Sequence, residues 1–184
     1  MPRHDSLETS RLLLRRWQDG DREPFAAMNA DPEVMRYFTA PLSRRESDRF
    51  VDRIEAVFGE RGVGLWALEV RETGLFIGFT GLWPMPADAP GAGGTEIGWR
   101  LARHAWGAGY ATEAARVVVD LAFGPLDLPE LYSMTALANE RSQAVMRRLG
   151  FTRFADHANP ALPPEHRLHA QVVYRLRRPA VVNR

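Results

Sequence analysis

Between Thr95 and Phe123 the chain passes from a short alternating strand, through two glycines one residue apart, straight into an amphipathic helix. No other segment restricts the fold as much, because three conditions meet in it. Thr95-Glu-Ile-Gly-Trp-Arg-Leu101 alternates with the period of two that sets a strand half into a core. Ala114, Val118, Leu121 and Ala122 recur at i, i+4, i+7 and i+8, so the helix must turn one stripe to the core. Between them, in His104-Ala-Trp-Gly-Ala-Gly-Tyr-Ala-Thr-Glu-Ala114, Gly107 and Gly109 loosen the backbone just where the helix begins. That is either an ordinary tight turn or a place where the backbone approaches something closely.

The second option has a physical basis. A helix N-terminus leaves backbone N–H groups without intrahelical partners, and the helix dipole makes that end positive. Glycines ahead of it let successive N–H groups converge on one point, which suits a phosphate. Here Tyr110 to Glu113 form the first turn, and Arg103 stands nearby to assist. Other phosphate motifs fail: residue 112 is threonine, which breaks GxGxxG, and GxxxxGK[ST] needs a lysine. Pro90-Gly-Ala-Gly-Gly94 precedes a strand rather than a helix and reads as a loop.

The rest of the chain interleaves strands and helices. Arg11–Trp17 reads as a strand and Asp21–Met28 as a helix, followed by a short helix capped by Asp31 and a longer one opened by Ser43. Leu65–Val70 and Leu75–Trp83 flank Glu72-Thr73-Gly74 as a hairpin. Leu131–Leu137 reads as a strand, Asn139–Leu149 as a helix ended by Gly150, and Phe151–Phe154 and Ala170–Leu176 as closing strands. With no repeat and no linker, the pattern gives one α/β (α+β) domain with a mixed, mostly antiparallel sheet flanked by helices.

Composition narrows the chemistry. All 24 residues in the Lys+Arg count are arginine, which excludes Schiff-base chemistry and a lysine nucleophile. There is no cysteine, so disulfides, zinc–thiolate sites and a thiolate nucleophile are excluded too. His104, His157, His166 and His169 lack metal-ligand spacing, and no metal is expected. A net charge of +1 implies neither nucleic acid nor membrane as a partner. Without a signal-like N-terminus or a long apolar run, the expected location is cytoplasmic.

Trp106-Gly-Ala-Gly-Tyr-Ala-Thr-Glu-Ala114 closely resembles the coenzyme-A pyrophosphate loop of the GNAT superfamily of N-acetyltransferases. Four further blocks follow the same order: Leu7–Trp17, Asn29–Tyr37, Glu96-Ile-Gly-Trp99 and Asn139–Phe151. Together they resemble the Rim-type branch, whose best-known members acetylate ribosomal-protein N-termini, over residues 7 to 178. The resemblance implies a GNAT-like acyl-CoA N-acyltransferase fold, acetyl-CoA as co-substrate, and a cofactor loop comprising His104, Trp106, Gly107, Ala108, Gly109, Tyr110, Ala111 and Thr112. It further implies that the strand backbone at Trp99, Arg100 and Leu101 pairs with the pantetheine amides. His104 departs from the family pattern, which commonly has glutamine or arginine there; the change touches a side-chain contact to phosphate, not the backbone cradle.

Glu96 is the first candidate for general base. It opens the strand leading into the loop, and a carboxylate facing a partly apolar cleft has a raised pKa. A glutamate here is a proposed base in related enzymes; the alternative is an ion pair with an arginine such as Arg100. Asn139 and Ser142 open a helix, where a cap and a first-turn polar residue already account for them. The resemblance adds a contact from Asn139 to the cofactor arm, and a proton or hydrogen bond from Ser142 to the departing thiolate. Trp17, Tyr37, Phe38 and Trp83 either line an acceptor pocket or fill the core, and the loop of residues 156–169 either shapes acceptor choice or is plain surface. Three functions stay open: acetylation of a protein N-terminus, acetylation of a small amine, an amino acid or an amine-bearing antibiotic, and a non-catalytic acyl-CoA-binding module. The assembly is a monomer or homodimer.

Overall fold

The computed structural model describes residues 4–179. A single eight-stranded sheet organises them. In chain order its strands are β1 (Ser6–Glu8), β2 (Leu12–Arg15), β3 (Leu65–Val70), β4 (Leu75–Pro84), β5 (Thr95–Leu101), β6 (Glu130–Ala136), β7 (Thr152–Ala158) and β8 (Ala170–Arg177). In space the order is β1-β2-β3-β4-β5-β6-β8-β7. Every neighbouring pair is antiparallel except β5 and β6. The four helices are α1 (Arg22–Ala30), α2 (Arg44–Arg61), α3 (Tyr110–Phe123) and α4 (Glu140–Arg148). No described helix is long and apolar enough to cross a membrane.

Local chemistry accounts for the helices. Ser43 caps α2 by accepting from the Glu46 N–H, while the Glu46 carboxylate accepts from the Ser43 N–H at 2.8 Å. Gly62, at φ 73°, ends that helix in the left-handed conformation. Its stripe Val51, Ile54 and Phe58 is buried. On α3 the expected stripe Ala114, Val118, Leu121 and Ala122 is fully buried, with Ala115 beside it. These short side chains let the helix axis lie close to β4 and β5.

The expected helix at Asp31 does not form. Residues 32–37 are a run of turns, and the Asp31 carboxylate accepts from the Glu33 N–H at 2.8 Å. That side-chain turn competes with helical backbone bonding. Val34 and Met35 are nonetheless buried, so the segment packs as an irregular strap. The strands β1 and β7 also exceed what the sequence indicated: β1 pairs Leu7 with Leu14, and β7 runs on to Ala158 along β8.

One buried ion cluster ties the first strands to α1. Arg15 donates from both terminal nitrogens to Asp21, at 2.7 and 2.9 Å, and from Nε to Glu69 at 2.7 Å. Asp21, only 3% exposed, also accepts from the Gln18 N–H at 2.8 Å. Removing one partner of such a cluster leaves a buried charge uncompensated. Asp21→Ala is therefore expected to cost about 3–5 kcal/mol of stability, read as a lowered denaturation midpoint; a midpoint unchanged from wild type would show the cluster to be energetically idle.

Candidate active site

The parallel pair is where the sheet opens. β4 and β5 hold a register of seven paired positions, and so do β6 and β8, but β5 and β6 meet only at Glu96 and Tyr132. Beyond that point the two strands splay, leaving the inner edge of β5 without a strand partner. Both strands run toward this opening, so α3 and α4, which follow them, start at the same end of the sheet. The carboxyl ends of parallel strands with helix N-termini beside them form a ready ligand crevice. A cleft of about 1670 Å³ occupies the gap. Gly98–Leu101 form one wall and Ser133–Ala136 the other.

At one end of the cleft lies the glycine loop. After a single 3-10 turn at Arg103–Ala105, Gly107 and Gly109 adopt φ of 80° and 81°. A Cβ on Gly107 would meet nothing within 4 Å, and one on Gly109 only an Arg11 nitrogen at 3.6 Å. Backbone conformation, not lack of room, is what requires glycine at both. Gly109 is the N-cap of α3 and supplies no side-chain cap. Among the described residues the N–H groups of Gly107 to Thr112 find no hydrogen-bond partner; the first amide satisfied is that of Glu113, on the Gly109 carbonyl at 3.1 Å. Helix starts are normally capped, so a row of amides left free at this one is what an anion would complete.

Residues remote in sequence hold this loop. The Glu113 carboxylate accepts from Thr9 Oγ1 at 2.6 Å, from the Arg11 N–H at 3.1 Å and from Arg11 Nε at 2.7 Å. Burial pushes its pKa up, but these hydrogen bonds outweigh that and hold it below the ordinary value. The Arg11 guanidinium lies 4.6 Å from the centre of the Tyr110 ring. The turn between β1 and β2 is thus fastened to the start of α3. Arg116, Arg141 and Arg148 also line the cleft, and Arg141 stacks on Trp106 at 4.8 Å. Sequence reasoning singles out Trp106 and Tyr110 but gives no role to Thr9, Arg11, Arg116, Arg141 or Arg148, whose partners are remote in the chain.

Glu96 sits at the narrow point where β5 and β6 still touch. Its Oε1 accepts from the Met134 N–H at 3.4 Å. Burial pushes its carboxyl up to about 7, and the single backbone hydrogen bond only partly offsets this. No cation pairs with it among the described residues, so the alternative of an ion pair with Arg100 is not what the structure contains. Arg100 instead donates from Nη1 to Asn29 Oδ1 at 2.6 Å. Strand alternation puts Glu96, Gly98 and Arg100 on one face, and a Cβ on Gly98 would meet nothing within 4 Å.

Asn139 is fully engaged as a cap: Oδ1 accepts from the Ser142 N–H at 3.2 Å and Nδ2 donates to Thr135 Oγ1 at 2.9 Å. One amide hydrogen remains for another partner. Ser142 lines the cleft, and among the described residues its hydroxyl makes no hydrogen bond. Trp99, Leu101, Trp106, Tyr110, Ala111 and Thr112 line the cleft as well, whereas His104 and Ala108 are exposed and lie outside its lining. Of the four aromatics considered for an acceptor pocket, Tyr37, Phe38 and Trp83 line the cleft. Trp17 is core, with its indole N–H on the Leu65 carbonyl at 2.7 Å. The late loop reaches the same region, because Arg167 donates to the Arg36 carbonyl in the 31–38 strap.

The chain is also similar to known proteins in sequence and fold. The family described as "Acetyltransferase (GNAT) domain" matches residues 11–152. The chain is 32% identical to the uncharacterized protein YkkB of Bacillus subtilis, over 78% of this chain and 83% of that one. It is 33% identical to the FsC-acetyl coenzyme A-N(2)-transacetylase of Aspergillus fumigatus, over 80% of this chain and 65% of that one. Among solved structures it is similar to an acetyltransferase from Agrobacterium tumefaciens, with a TM-score of 0.75, 30% identity and 93% of each chain covered.

Proposed function

The chain belongs to the GNAT acetyltransferases, enzymes that use acetyl-CoA, and from that premise we propose how its own residues perform N-acetylation. The observation that carries the proposal is a single slot with an uncapped glycine loop at one end and a proton-accepting glutamate at its narrow point. Acetyl-CoA supplies an activated thioester. The free amides from Gly107 to Thr112 hold its pyrophosphate, each charge-assisted bond being worth about 1.5–3 kcal/mol. The open edge of β5 from Trp99 to Leu101 receives the pantetheine arm, and the spare Asn139 amide hydrogen lies beside the same arm. The catalytic unit spans residues 7–178 and works in the cytoplasm.

Transfer to a primary amine needs a neutral nucleophile, a fixed approach and a protonated leaving thiolate. Glu96, titrating near neutral pH, accepts the amine proton directly or through a water. Holding amine and thioester together in the slot contributes about 7–11 kcal/mol at best through effective molarity. Ser142 Oγ donates a hydrogen bond to the departing sulfur. The lack of cysteine excludes an acetyl-cysteine intermediate, and the acetyl group moves in the simpler way, directly from donor to amine. A catalytic role is favoured over mere acyl-CoA binding because a binding module gains nothing from a carboxylate buried at a cost to its charged form.

Two tests follow. Turnover of acetyl-CoA against amino acids, peptides, polyamines and aminoglycosides, followed by free-thiol release, should reveal at least one amine that is acetylated. Tight acetyl-CoA binding with no turnover on any amine would leave only the binding-module reading. Ser142→Ala is expected to lower kcat about tenfold, below the range of a full general acid, while the Kd for acetyl-CoA stays unchanged. An unchanged kcat would remove Ser142 from the chemistry.

A further inference from the structure

Resting on the acetyltransferase reading above, the structure leaves one cation in the cleft that is both shielded from solvent and without an anion, whereas the other arginines lining it, Arg36, Arg116, Arg141 and Arg148, are exposed. Arg100 is held on the β5 wall beside Glu96 and Gly98, and its guanidinium has no carboxylate partner among the described residues. Nη1 meets only the neutral amide oxygen of Asn29, and Nε is buried with no partner at all. Asn29 is itself immobilised, with no exposed surface and Nδ2 donating to Ser47 Oγ at 2.9 Å. Phe38 packs over the guanidinium at 4.0 Å, with Phe79 at 5.5 Å and Phe50 at 5.9 Å. The contrast with Arg15 is direct: that buried arginine has two carboxylates on it.

An arginine fixed by packing, facing a cleft and lacking an anion is a site built for one. A guanidinium offers a planar fork that matches a carboxylate. Its distance from the chemistry also fits a small molecule. Glu96 and Arg100 are about 13 Å apart between Cα atoms at strand spacing. Gly98 leaves the space between them open, and both side chains are long enough to shorten that span. The same charge repels a polyamine. A protein N-terminus would bring a neutral peptide amide, not a carboxylate, to that position.

We propose that the acceptor is a small amine bearing a carboxylate, an amino acid, whose amine is presented to Glu96 while its carboxylate is bound by Arg100. Arg100 thereby selects the acceptor, with Phe38, Phe50 and Phe79 packed against its guanidinium. The cofactor half of the cleft has no part in this selection.

The test compares initial rates for free amino acids, their carboxamides, their decarboxylated amines, spermidine and an N-terminal peptide. The wild type is expected to favour an amino acid over its carboxamide on the order of 100-fold in kcat/KM, as loss of a buried charged partner demands. In Arg100→Gln that ratio should collapse toward one, through KM for the acid; Arg100→Lys should restore part of the preference. A best acceptor without a carboxylate, or a ratio unaltered in Arg100→Gln, overturns the proposal while leaving the acetyltransferase reading intact. Failure of every amine to react overturns both, and is distinguished by the absence of any thiol release.

Discussion

Glu96→Gln is expected to lower kcat/KM about 10²–10⁴-fold at pH 7.5, the range for removing a positioned general base. The size follows from where the carboxylate sits. Burial raises its pKa to about 7, so at neutral pH it is half ionised and still basic enough to take a proton from an ammonium. The sign of the pH dependence is fixed by the same fact. Below pH 7 the carboxyl is protonated and cannot accept, so the wild-type rate should fall about tenfold per pH unit there. In the glutamine variant that limb should vanish, leaving only the rise from deprotonation of the amine itself. Stability moves the other way. A carboxyl whose folded pKa lies above its unfolded value binds more protons when folded, so wild-type stability falls as pH rises from about 4 to 7. Glu96→Gln should therefore be more stable than wild type at neutral pH while less active. A proportional loss of rate at every pH, together with lowered stability, would make Glu96 a structural residue instead.

The second large effect is expected at the glycine loop. Gly107→Val or Gly109→Val places a β-branched residue at φ near 80°, which costs about 1–3 kcal/mol where the conformation is retained. The loop is exposed and has room for the side chains, so the chain can relax by leaving that conformation rather than by unfolding. Relaxation turns amides away from the phosphates. Losing one charge-assisted bond should raise the acetyl-CoA Kd about 10–100-fold, with little change in melting temperature. Calorimetric titration measures this directly. An unchanged Kd would mean that the pyrophosphate is held elsewhere.

Local signals were legible in the sequence and long-range ones were not. Ser43 marks the start of α2 because a cap acts within a few residues. The stripe on α3 was readable for the same reason, since its period is intrinsic to the helix. Asp31 misled because a helix cap and a side-chain turn share the same residue type, and only packing of Val34 and Met35 decides between them. β1 is three residues long and exists only by pairing with β2. The splay of β5 from β6 has no local signature, since it is the absence of pairing between strands some thirty residues apart. The clamp of Thr9 and Arg11 on Glu113, and the unpaired state of Arg100, likewise depend on partners brought together only by the fold.

At the site, Glu96 and the glycine loop stand out by residue type and position, Ser142 only through the family resemblance, and Glu96, Ser142, Gly107 and Gly109 all line one cleft. The structure separates His104 and Ala108 from that lining and assigns Trp17 to the core. What the sequence lacked was the environment: that Glu96 is buried with no cation beside it, and that Arg100 has a buried Nε and no anion.

Direct transfer within one slot is the centre of this account, and a single-turnover experiment tests it most directly. Enzyme in excess over acetyl-labelled acetyl-CoA is mixed with and without a reactive amine, and thiol release and intact protein mass are followed together. Thiol should appear only with the amine, in equal amount to the N-acetyl product, and the protein mass should never change. Thiol release without amine, matched by a gain of one acetyl group on the protein, would contradict it.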